Sequence, residues 1–428
     1  MQLLAGQLFL KSMNFKNTSE YAFLLDKQDK LKNYREEFHL PKNTKGDNHI
    51  YLCGNSLGLQ PKRTKTFLDQ ELKDWAQLGV EGHMYAKNPW LSYHEFLAKG
   101  FSKVVGALPS EVVAMNSLTV NLHLMMVSFY RPKQTKFKIL IEDDAFPSDI
   151  YTVNSQIEHY GYDPNEALIK IKPRKGEFAL RTEDILKTIK EQGDQIALIM
   201  LGGVNYYTGQ VFDFKTITKN AHQKNIIVGF DLAHGAGNIY LDLHQWDVDF
   251  AVWCSYKYLN SGPGSVAGAF IHEKHHNQNL HRFAGWWGHN KENRFDMPDV
   301  FDPIQSAEGW QLSNPPILSL AAIRASLSIF DEVGMEPLIE KSKKMTKYLR
   351  FLLSQTKTNQ IEIITPENSG CQLSIRVKNG NKKLFDQITE KGVIADWREP
   401  DVIRIAPVPL YNNYNDLFKF YKILESVL

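Results

Sequence analysis

Cysteine is scarce in this sequence. The three cysteines, Cys53, Cys254 and Cys371, lie far apart among 428 residues, and no C-x-x-C pair occurs. This spacing argues against a disulfide scaffold, a zinc ribbon and a cysteine-ligated iron–sulfur cluster. Unpaired thiols are typical of a reducing compartment, so we expect a cytoplasmic protein.

The chain also lacks an excess of either charge, long apolar runs, internal repeats and low-complexity tracts. Lys and Arg number 50 against 48 Asp and Glu, and neither sign forms a long block, which argues against nucleic acid or an anionic membrane as a partner. No segment is apolar over the roughly 20 residues that a membrane span requires. We therefore expect a small-molecule ligand.

The first residues do not have the pattern of a targeting signal. Residues 1–12 contain a short apolar run, but they have neither a basic start nor a small-residue cleavage site. Met13 is therefore a candidate start of the native chain, with residues 1–12 as an added leader.

Apolar residues make up 43% of the chain and occur as short runs. The runs alternate with amphipathic helical stretches such as 182–192 and 214–224. This alternation predicts an α/β fold with a doubly wound, mostly parallel sheet that is buried on both faces. The predicted strands are 112–115, 137–141, 196–201, 226–230, 250–254 and 266–271.

The sequence pattern changes near residue 316. Two long helices, 316–333 and 336–354, are followed by three short strand-like runs and a final helix, which predicts a smaller α+β domain. We therefore predict an N-terminal arm, residues 1–60, that contributes to the small domain. The large domain is predicted to span residues 61–319 and the small C-terminal domain residues 320–428.

Three positions follow predicted strands, at the edge of the sheet where open α/β proteins bind ligands. Leu118 and Thr119 open a helix after the first strand, Asp231 ends another, and Lys257 follows the next one. Each has an ordinary explanation alone, as a helix cap, a turn residue or a solvated lysine. Together they supply an amine, a carboxylate and a helix N-terminus, which are the groups that pyridoxal phosphate (PLP) requires.

Two other motifs compete with this interpretation. "HEKHH", residues 272–276, matches the H-E-x-x-H zinc-protease pattern, but it follows a predicted strand and that chemistry needs a helix. "GPGSVAG" lacks the G-x-G-x-x-G spacing of a dinucleotide site. PLP remains the expected cofactor, and no metal is expected.

Eight sequence blocks, in this order, resemble those of the kynureninase family. They are "GNSLGLQP", "MNSLTVNLHL", "FPSD", "GFDLAHGAGN", "CSYKYLNSGPG", "RFAGWWGH", "LSNPPI" and "RIAPVPLYN". The resemblance runs from about residue 50 to the C-terminus. It implies a fold-type-I PLP enzyme that hydrolyses the β–γ carbon bond of L-kynurenine, 3-hydroxy-L-kynurenine or both, giving anthranilate or 3-hydroxyanthranilate plus L-alanine.

The resemblance also implies a homodimer with active sites at the subunit interface. Its expected catalytic residues are Lys257, Tyr256 and Asp231. The expected cofactor-binding residues are Leu118, Thr119, Phe146, Pro147, Ser148, Asp149, Asp231, His234, Tyr256, Lys257, Trp286 and Asn314, of which the last two match positions that the partner subunit contributes. The expected substrate-binding residues are Arg404, His83, Ser313 and Asn314.

Several points stay open at this level. Gly202 stands where some relatives carry a serine, and the pairing of His83 with Asn314 resembles family members that favour 3-hydroxy-L-kynurenine. A cysteine desulfurase or selenocysteine lyase on the same fold is an alternative, with Cys371 as its candidate nucleophile. A non-catalytic PLP-binding regulator is another alternative, against which the presence of Lys257, Asp231 and Arg404 and the lack of a DNA-binding segment weigh.

Overall fold

The structure is a computed structural model that describes residues 15–378 and 380–428. Met13 and the segment 1–12 lie outside the described residues. The helices are α1 (Ser19–Gln28), α2 (Thr64–Leu78), α3 (Gly82–Tyr85), α4 (Glu95–Val105), α5 (Leu118–Phe129), α6 (Pro147–His159), α7 (Pro164–Ala167), α8 (Thr182–Gln192), α9 (Phe214–His222), α10 (Ile317–Val333), α11 (Met335–Ser354), α12 (Lys383–Glu390) and α13 (Tyr414–Glu425). The strands are β1 (Ile50–Tyr51), β2 (Val112–Ala114), β3 (Lys138–Glu142), β4 (Leu168–Ile171), β5 (Ile196–Gly202), β6 (Ile227–Asp231), β7 (Phe250–Trp253), β8 (Gly268–Ile271), β9 (Ile361–Ile363), β10 (Leu373–Val377), β11 (Val393–Ile394), β12 (Asp396–Arg398) and β13 (Val402–Ile405).

The larger sheet has seven strands in the order β2-β8-β7-β6-β5-β3-β4. Strands β3 to β7 run parallel to their neighbours within that group, whereas β8 is antiparallel to both β2 and β7. The predicted α/β class with a mostly parallel sheet is therefore confirmed. Strand β4 was not predicted, because this edge strand is only partly buried and has no continuous apolar run.

Apolar side chains cover both faces of this sheet, as the alternation of side chains along a strand requires. Along β5, Leu198 and Met200 belong to the core on one face, while Ile199 and Leu201 belong to the core on the other. Polar groups therefore concentrate where the strands end. Glu142, Gly202 and Asp231 are the last residues of β3, β5 and β6.

The C-terminal part contains a four-stranded antiparallel sheet in the order β12-β13-β10-β9. Near the N-terminus, β1 pairs in parallel with β11, and α1 packs against α13. Residue 320 lies inside α10, which packs on α2 and α4. The domain boundaries stay a prediction, supported for the N-terminal arm by these contacts.

Candidate active site

A cleft lies at the carboxyl ends of β3, β5, β6 and β7. Its volume is about 560 Å³, including space that is open to solvent. The lining residues are Leu118, Thr119, Glu142, Phe146, Ser148, Asp149, Gly202, Val204, Tyr206, Asp231, Ala233, His234, Tyr256 and Lys257. The structure thus brings together nine of the residues expected from the sequence, namely Leu118, Thr119, Phe146, Ser148, Asp149, Asp231, His234, Tyr256 and Lys257.

Lys257 and His234 meet in this cleft, where Lys257 Nζ lies 3.1 Å from His234 Nε2. Burial, and then the positive charge of Lys257, holds the pKa of His234 well below its usual value. The imidazole is therefore neutral, and Nε2 accepts the hydrogen bond from the lysine. His234 Nδ1 is buried without a hydrogen-bond partner among the described residues, so it remains available to a ligand.

Asp231 and Asp149 form a buried carboxyl pair on the floor of the cleft. The pKa of Asp149 is raised well above its usual value, first by burial and then by the negative charge of Asp231. Burial also raises the pKa of Asp231, which Lys257 and the N–H of Ala233 oppose; that N–H lies 2.6 Å from Asp231 Oδ1. The shared proton therefore resides on Asp149 and the negative charge on Asp231.

Two helices begin at the other side of the cleft. Helix α5 begins at Leu118, and the side chain of Ser117 does not cap it, so its first N–H groups stay free to bind an anion. Helix α6 begins at Pro147, which suits the first helical position. Thr119 Oγ1 and Ser148 Oγ lie 2.8 Å apart and join the two helix ends. Two converging helix N-termini with two hydroxyl groups fit a phosphate.

Aromatic side chains form the walls. The Phe146 ring packs edge-on against Tyr206, with 5.3 Å between centroids, and Lys257 Nζ lies 5.9 Å from the centroid of the Phe146 ring. Burial raises the pKa of the Tyr256 hydroxyl, so this group stays protonated at neutral pH and can donate a hydrogen bond. Aromatic side chains of this kind suit a planar ligand.

Arg404 is fully buried in β13, outside the lining of the cleft but next to it. Its guanidinium pairs with Asp396 and donates to the carbonyl oxygen of Tyr206 at 2.7 Å. Ser56 Oγ donates to Asp396 Oδ2 at 2.5 Å. Arg404 Nε has no hydrogen-bond partner among the described residues. The arginine is thus held beside the cleft with its Nε–H unused.

Five other expected residues do not line the cleft in the described part of this chain. His83 Nδ1 lies 2.9 Å from the carbonyl oxygen of Val80. Trp286 is 41% exposed, and both Ser313 and Asn314 are exposed. Pro147 begins α6 immediately behind Phe146.

Four residues of the site were missed in the sequence: Glu142, Tyr206, Ser56 and Asp396. Glu142 is a polar residue at the end of a predicted strand, which is the same signal that identified Asp231. Tyr206 and Ser56 lie in turns and carry no such signal. Asp396 lies eight residues before Arg404, and only the pairing of β12 with β13 brings the two together.

The structure also bears on the competing motifs. His272 precedes a single 3₁₀ turn, Glu273–His275, and both His272 Nε2 and His276 Nε2 lie within 3.2 Å of backbone carbonyl oxygens. The two imidazoles therefore do not share the helix face that the zinc-protease pattern needs.

Burial raises the pKa of the Cys371 thiol to about 12, which makes it a poor nucleophile.

A kynureninase from Flavobacterium psychrophilum is 55% identical over 421 residues, covering 97% of this chain and 99% of the relative. The chain belongs to the kynureninase family. A kynureninase from Nematostella vectensis is 46% identical and covers 95% of this chain and 93% of its own length. Residues 338–424 match the sequence model of the kynureninase C-terminal domain. The kynureninase resemblance and the hydrolase class predicted from the sequence are confirmed.

Solved structures show the fold of this kynureninase-family chain. A C-DES variant with glycine covalently linked to its PLP cofactor has a TM-score of 0.76 at 16% identity, covering 91% of this chain and 98% of that chain. A cysteine desulfurase from Escherichia coli has a TM-score of 0.74 at 15% identity, covering 92% and 97%. The predicted fold-type-I class is confirmed. Pyridoxal 5′-phosphate is the cofactor of this chain as a member of the kynureninase family.

Proposed function

We propose that this chain hydrolyses the β–γ carbon bond of L-kynurenine and 3-hydroxy-L-kynurenine, with Lys257, Asp231 and Tyr256 as its catalytic residues. One observation carries the proposal: the amine of Lys257, a buried carboxylate and two helix N-termini line the same cleft. When bound, PLP supplies an aldehyde that reacts with amines and a ring that takes up electrons from the bond that breaks.

Each residue is given a role that its surroundings support. Lys257 holds the cofactor and then moves the proton at the substrate α-carbon, and neutral His234 keeps the lysine nitrogen in place. Asp231 keeps the cofactor ring nitrogen protonated, since it carries the charge of the carboxyl pair. The N–H groups of Leu118 and Thr119, with the Ser148 hydroxyl, hold the phosphate.

The walls of the cleft are given the remaining roles. Phe146, at the start of α6, covers one face of the cofactor ring, and Pro147 and Asp149 fix this end of the helix. The protonated Tyr256 hydroxyl donates to the oxygen on which charge develops when water attacks the substrate ketone. A donor in that position is typically worth about 10²- to 10³-fold in rate.

Arg404 is proposed to bind the substrate carboxylate through its unused Nε and the guanidinium nitrogens now paired with Asp396. We expect Arg404→Ala to weaken substrate binding by about 1.5 to 3 kcal/mol, the usual value of a charge-assisted hydrogen bond. The measurement is the dissociation constant of L-kynurenine from the holoenzyme. Arg376→Ala is the matched control, because this arginine of β10 pairs with Asp401 at 2.7 Å. An unchanged constant in Arg404→Ala would return Arg404 to a purely structural role.

The site is proposed to be completed by a second copy of the chain. Large apolar side chains are exposed around Trp286, with Phe283 and Phe295 each 53%, Met297 66% and Val300 78% exposed. Exposed apolar groups so close together are typical of an interface. The positions of Trp286 and Asn314 then complete the site of the other subunit, which explains why neither lines the cleft of its own chain.

A complementation experiment tests this arrangement. We expect Lys257→Ala to be inactive, and the double variant Trp286→Ala with Asn314→Ala to be strongly impaired. Co-expression of the two should restore about one quarter of the wild-type sites, because half of randomly formed dimers are mixed and each has one intact site. Mixed dimers isolated with two affinity tags are assayed against each parent. Failure to recover activity, or a species of 49.2 kDa by light scattering, would contradict the shared site.

The function itself is tested by adding L-kynurenine to purified holoenzyme and measuring the absorption spectrum, anthranilate and L-alanine. We expect a spectral change and both products in equal amounts. The same assay with 3-hydroxy-L-kynurenine tests the preference proposed from His83, Ser313 and Asn314, whose polar groups pair with an added phenolic hydroxyl. A higher kcat/KM for plain kynurenine would remove that role from these residues.

A cytoplasmic location is proposed as well. Its support is that Cys53, Cys254 and Cys371 are all free thiols. In the part of the chain that the structure describes, no helix has the length and hydropathy to cross a bilayer.

A further inference from the structure

Glu142 is a buried carboxyl group of the cleft that the roles proposed above do not use. It is the last residue of β3 and is 2% exposed. The N–H of Gly202 donates to its carboxyl oxygens at 3.0 and 3.3 Å. Gly202 in turn lies opposite Asp231 in the register of β5 and β6. Glu142, Gly202 and Asp231 therefore form a row across three adjacent strands.

The absence of a side chain at Gly202 creates the place for this carboxyl group. A Cβ atom at position 202 would lie 2.9 Å from Glu142 Oε1. That distance is too short for a carbon–oxygen contact without a shift of the carboxyl group. The space that a side chain at position 202 would occupy is therefore filled by the carboxyl group of Glu142.

The charges around Glu142 are mostly of its own sign. Asp144 follows it in the turn after β3, Asp231 ends β6, Asp149 lies in α6, and Lys257 is the cation among them. Burial first, and then Asp144 and Asp231, raises the pKa of Glu142 to about 8, against the opposing N–H of Gly202. Because several buried carboxyl groups cannot all ionise beside one cation, Glu142 is neutral at pH 7.

We propose that Glu142 is a positioning residue of the cofactor site that acts through Asp231 and Asp149. Its neutral carboxyl group leaves a single negative charge on the aspartate pair, and its ionisation places a second negative charge beside the cofactor. The inference rests on the proposed role of Asp231 at the cofactor ring. It follows that the protonation of the bound cofactor depends on whether Glu142 is ionised.

The first test is a pH titration of the visible absorbance of bound PLP in wild type and Glu142→Gln. The amide keeps an oxygen for the Gly202 N–H but cannot ionise. In the wild type, the second negative charge above pH 8 stabilises the protonated form of the cofactor–Lys257 linkage. We therefore expect Glu142→Gln to lose this form at a pH lower by on the order of one unit. Identical titration curves would overturn the proposal.

Asp143→Asn is the matched control. It removes the neighbouring carboxylate, which is 34% exposed and lies 3.6 Å from Lys172 Nζ, and which does not line the cleft. We expect its titration to follow the wild type. An equal shift of the titration in Asp143→Asn and Glu142→Gln would mean that the loss of any nearby negative charge has this effect. That result would overturn the role proposed for Glu142.

The second test uses the apoprotein, where activity plays no part. Burial raises the pKa of Glu142 to about 8 in the folded state, from its ordinary value of 4.5. Between these two pH values the carboxyl group is ionised in the unfolded chain and neutral in the folded chain. The free energy of unfolding therefore falls as pH rises from 4.5 to 8. Glu142→Gln does not lose this stability. Its Tm should therefore exceed that of the wild type by a margin that widens from pH 5 to pH 8. Parallel Tm curves would contradict the buried, titrating carboxyl group.

Gly202→Ala provides an independent variant if Glu142→Gln does not fold. Its added Cβ displaces the carboxyl group from the Gly202 N–H, so the cofactor titration should again move; an unchanged curve would count against the proposal. Failure of the proposed function can be distinguished from failure of this inference. The function is measured as kynurenine cleavage at pH 6.5, where Glu142 is neutral. The titration needs only bound PLP.

Discussion

Lys257→Ala should abolish kynurenine cleavage, with a loss of at least about 10³-fold, because one variant removes both the cofactor linkage and the proton-transfer group. The neutral imidazole of His234, whose Nε2 lies 3.1 Å from Lys257 Nζ, cannot replace the amine, because an imidazole cannot form the covalent linkage to the cofactor and burial holds its pKa low. The measurements are single-turnover product formation and the visible absorbance of the purified protein. That absorbance should resemble free PLP.

The fold should survive this substitution. Lys257 follows β7 in a turn and donates only to His234 among the described hydrogen bonds, so the Tm of the apoprotein should stay close to that of the wild type. Lys187→Ala, at an exposed site of α8, is the control for loss of a lysine as such. Normal turnover by Lys257→Ala would remove the whole assignment of the cleft.

The fold follows from sequence wherever burial is strong. The runs 196–201 and 226–230 are apolar on both faces, and they form β5 and β6 with ends shifted by about one residue. The pairing of β1 with β11 could not be predicted, because only two residues of each strand take part. Strands β4, β11 and β12 were also missed, because they carry too few buried residues for a pattern.

The active site likewise contains residues that could be predicted from the sequence and residues that could not. Asp231 and Lys257 were found because each ends or follows a strand, and the shared sheet edge brings them together. The charge state of the floor could not be predicted. It depends on Asp149, which reaches the cleft from a helix, and on Glu142, whose position is set by the missing side chain at Gly202. Distances between side chains on different elements decide both.

Asp231→Asn should reduce turnover by about 10²-fold or more while leaving the apoprotein at least as stable as the wild type. The amide can still accept the N–H of Ala233, but it carries no charge to keep the cofactor ring nitrogen protonated. Burial is the main reason why the pKa of Asp231 is raised in the folded state. The free energy of unfolding therefore falls as pH rises above the pKa that Asp231 has in the unfolded chain. An amide does not ionise, so Asp231→Asn does not lose this stability. The measurements are kcat and the Tm of the apoprotein at pH 5 and pH 8.

Two further variants define what this result means. Asp194→Asn, at a site that is 86% exposed, controls for loss of a carboxylate and should change neither quantity. Asp149→Asn removes the residue that holds the shared proton and leaves the charge on Asp231, so it should reduce turnover less than Asp231→Asn does. If Asp149→Asn is instead the more damaging of the two, the charge that the cofactor requires resides on Asp149, and the assignment of the pair must be reversed. Turnover of Asp231→Asn at the wild-type rate would mean that the Asp231 carboxylate does not act on the ring.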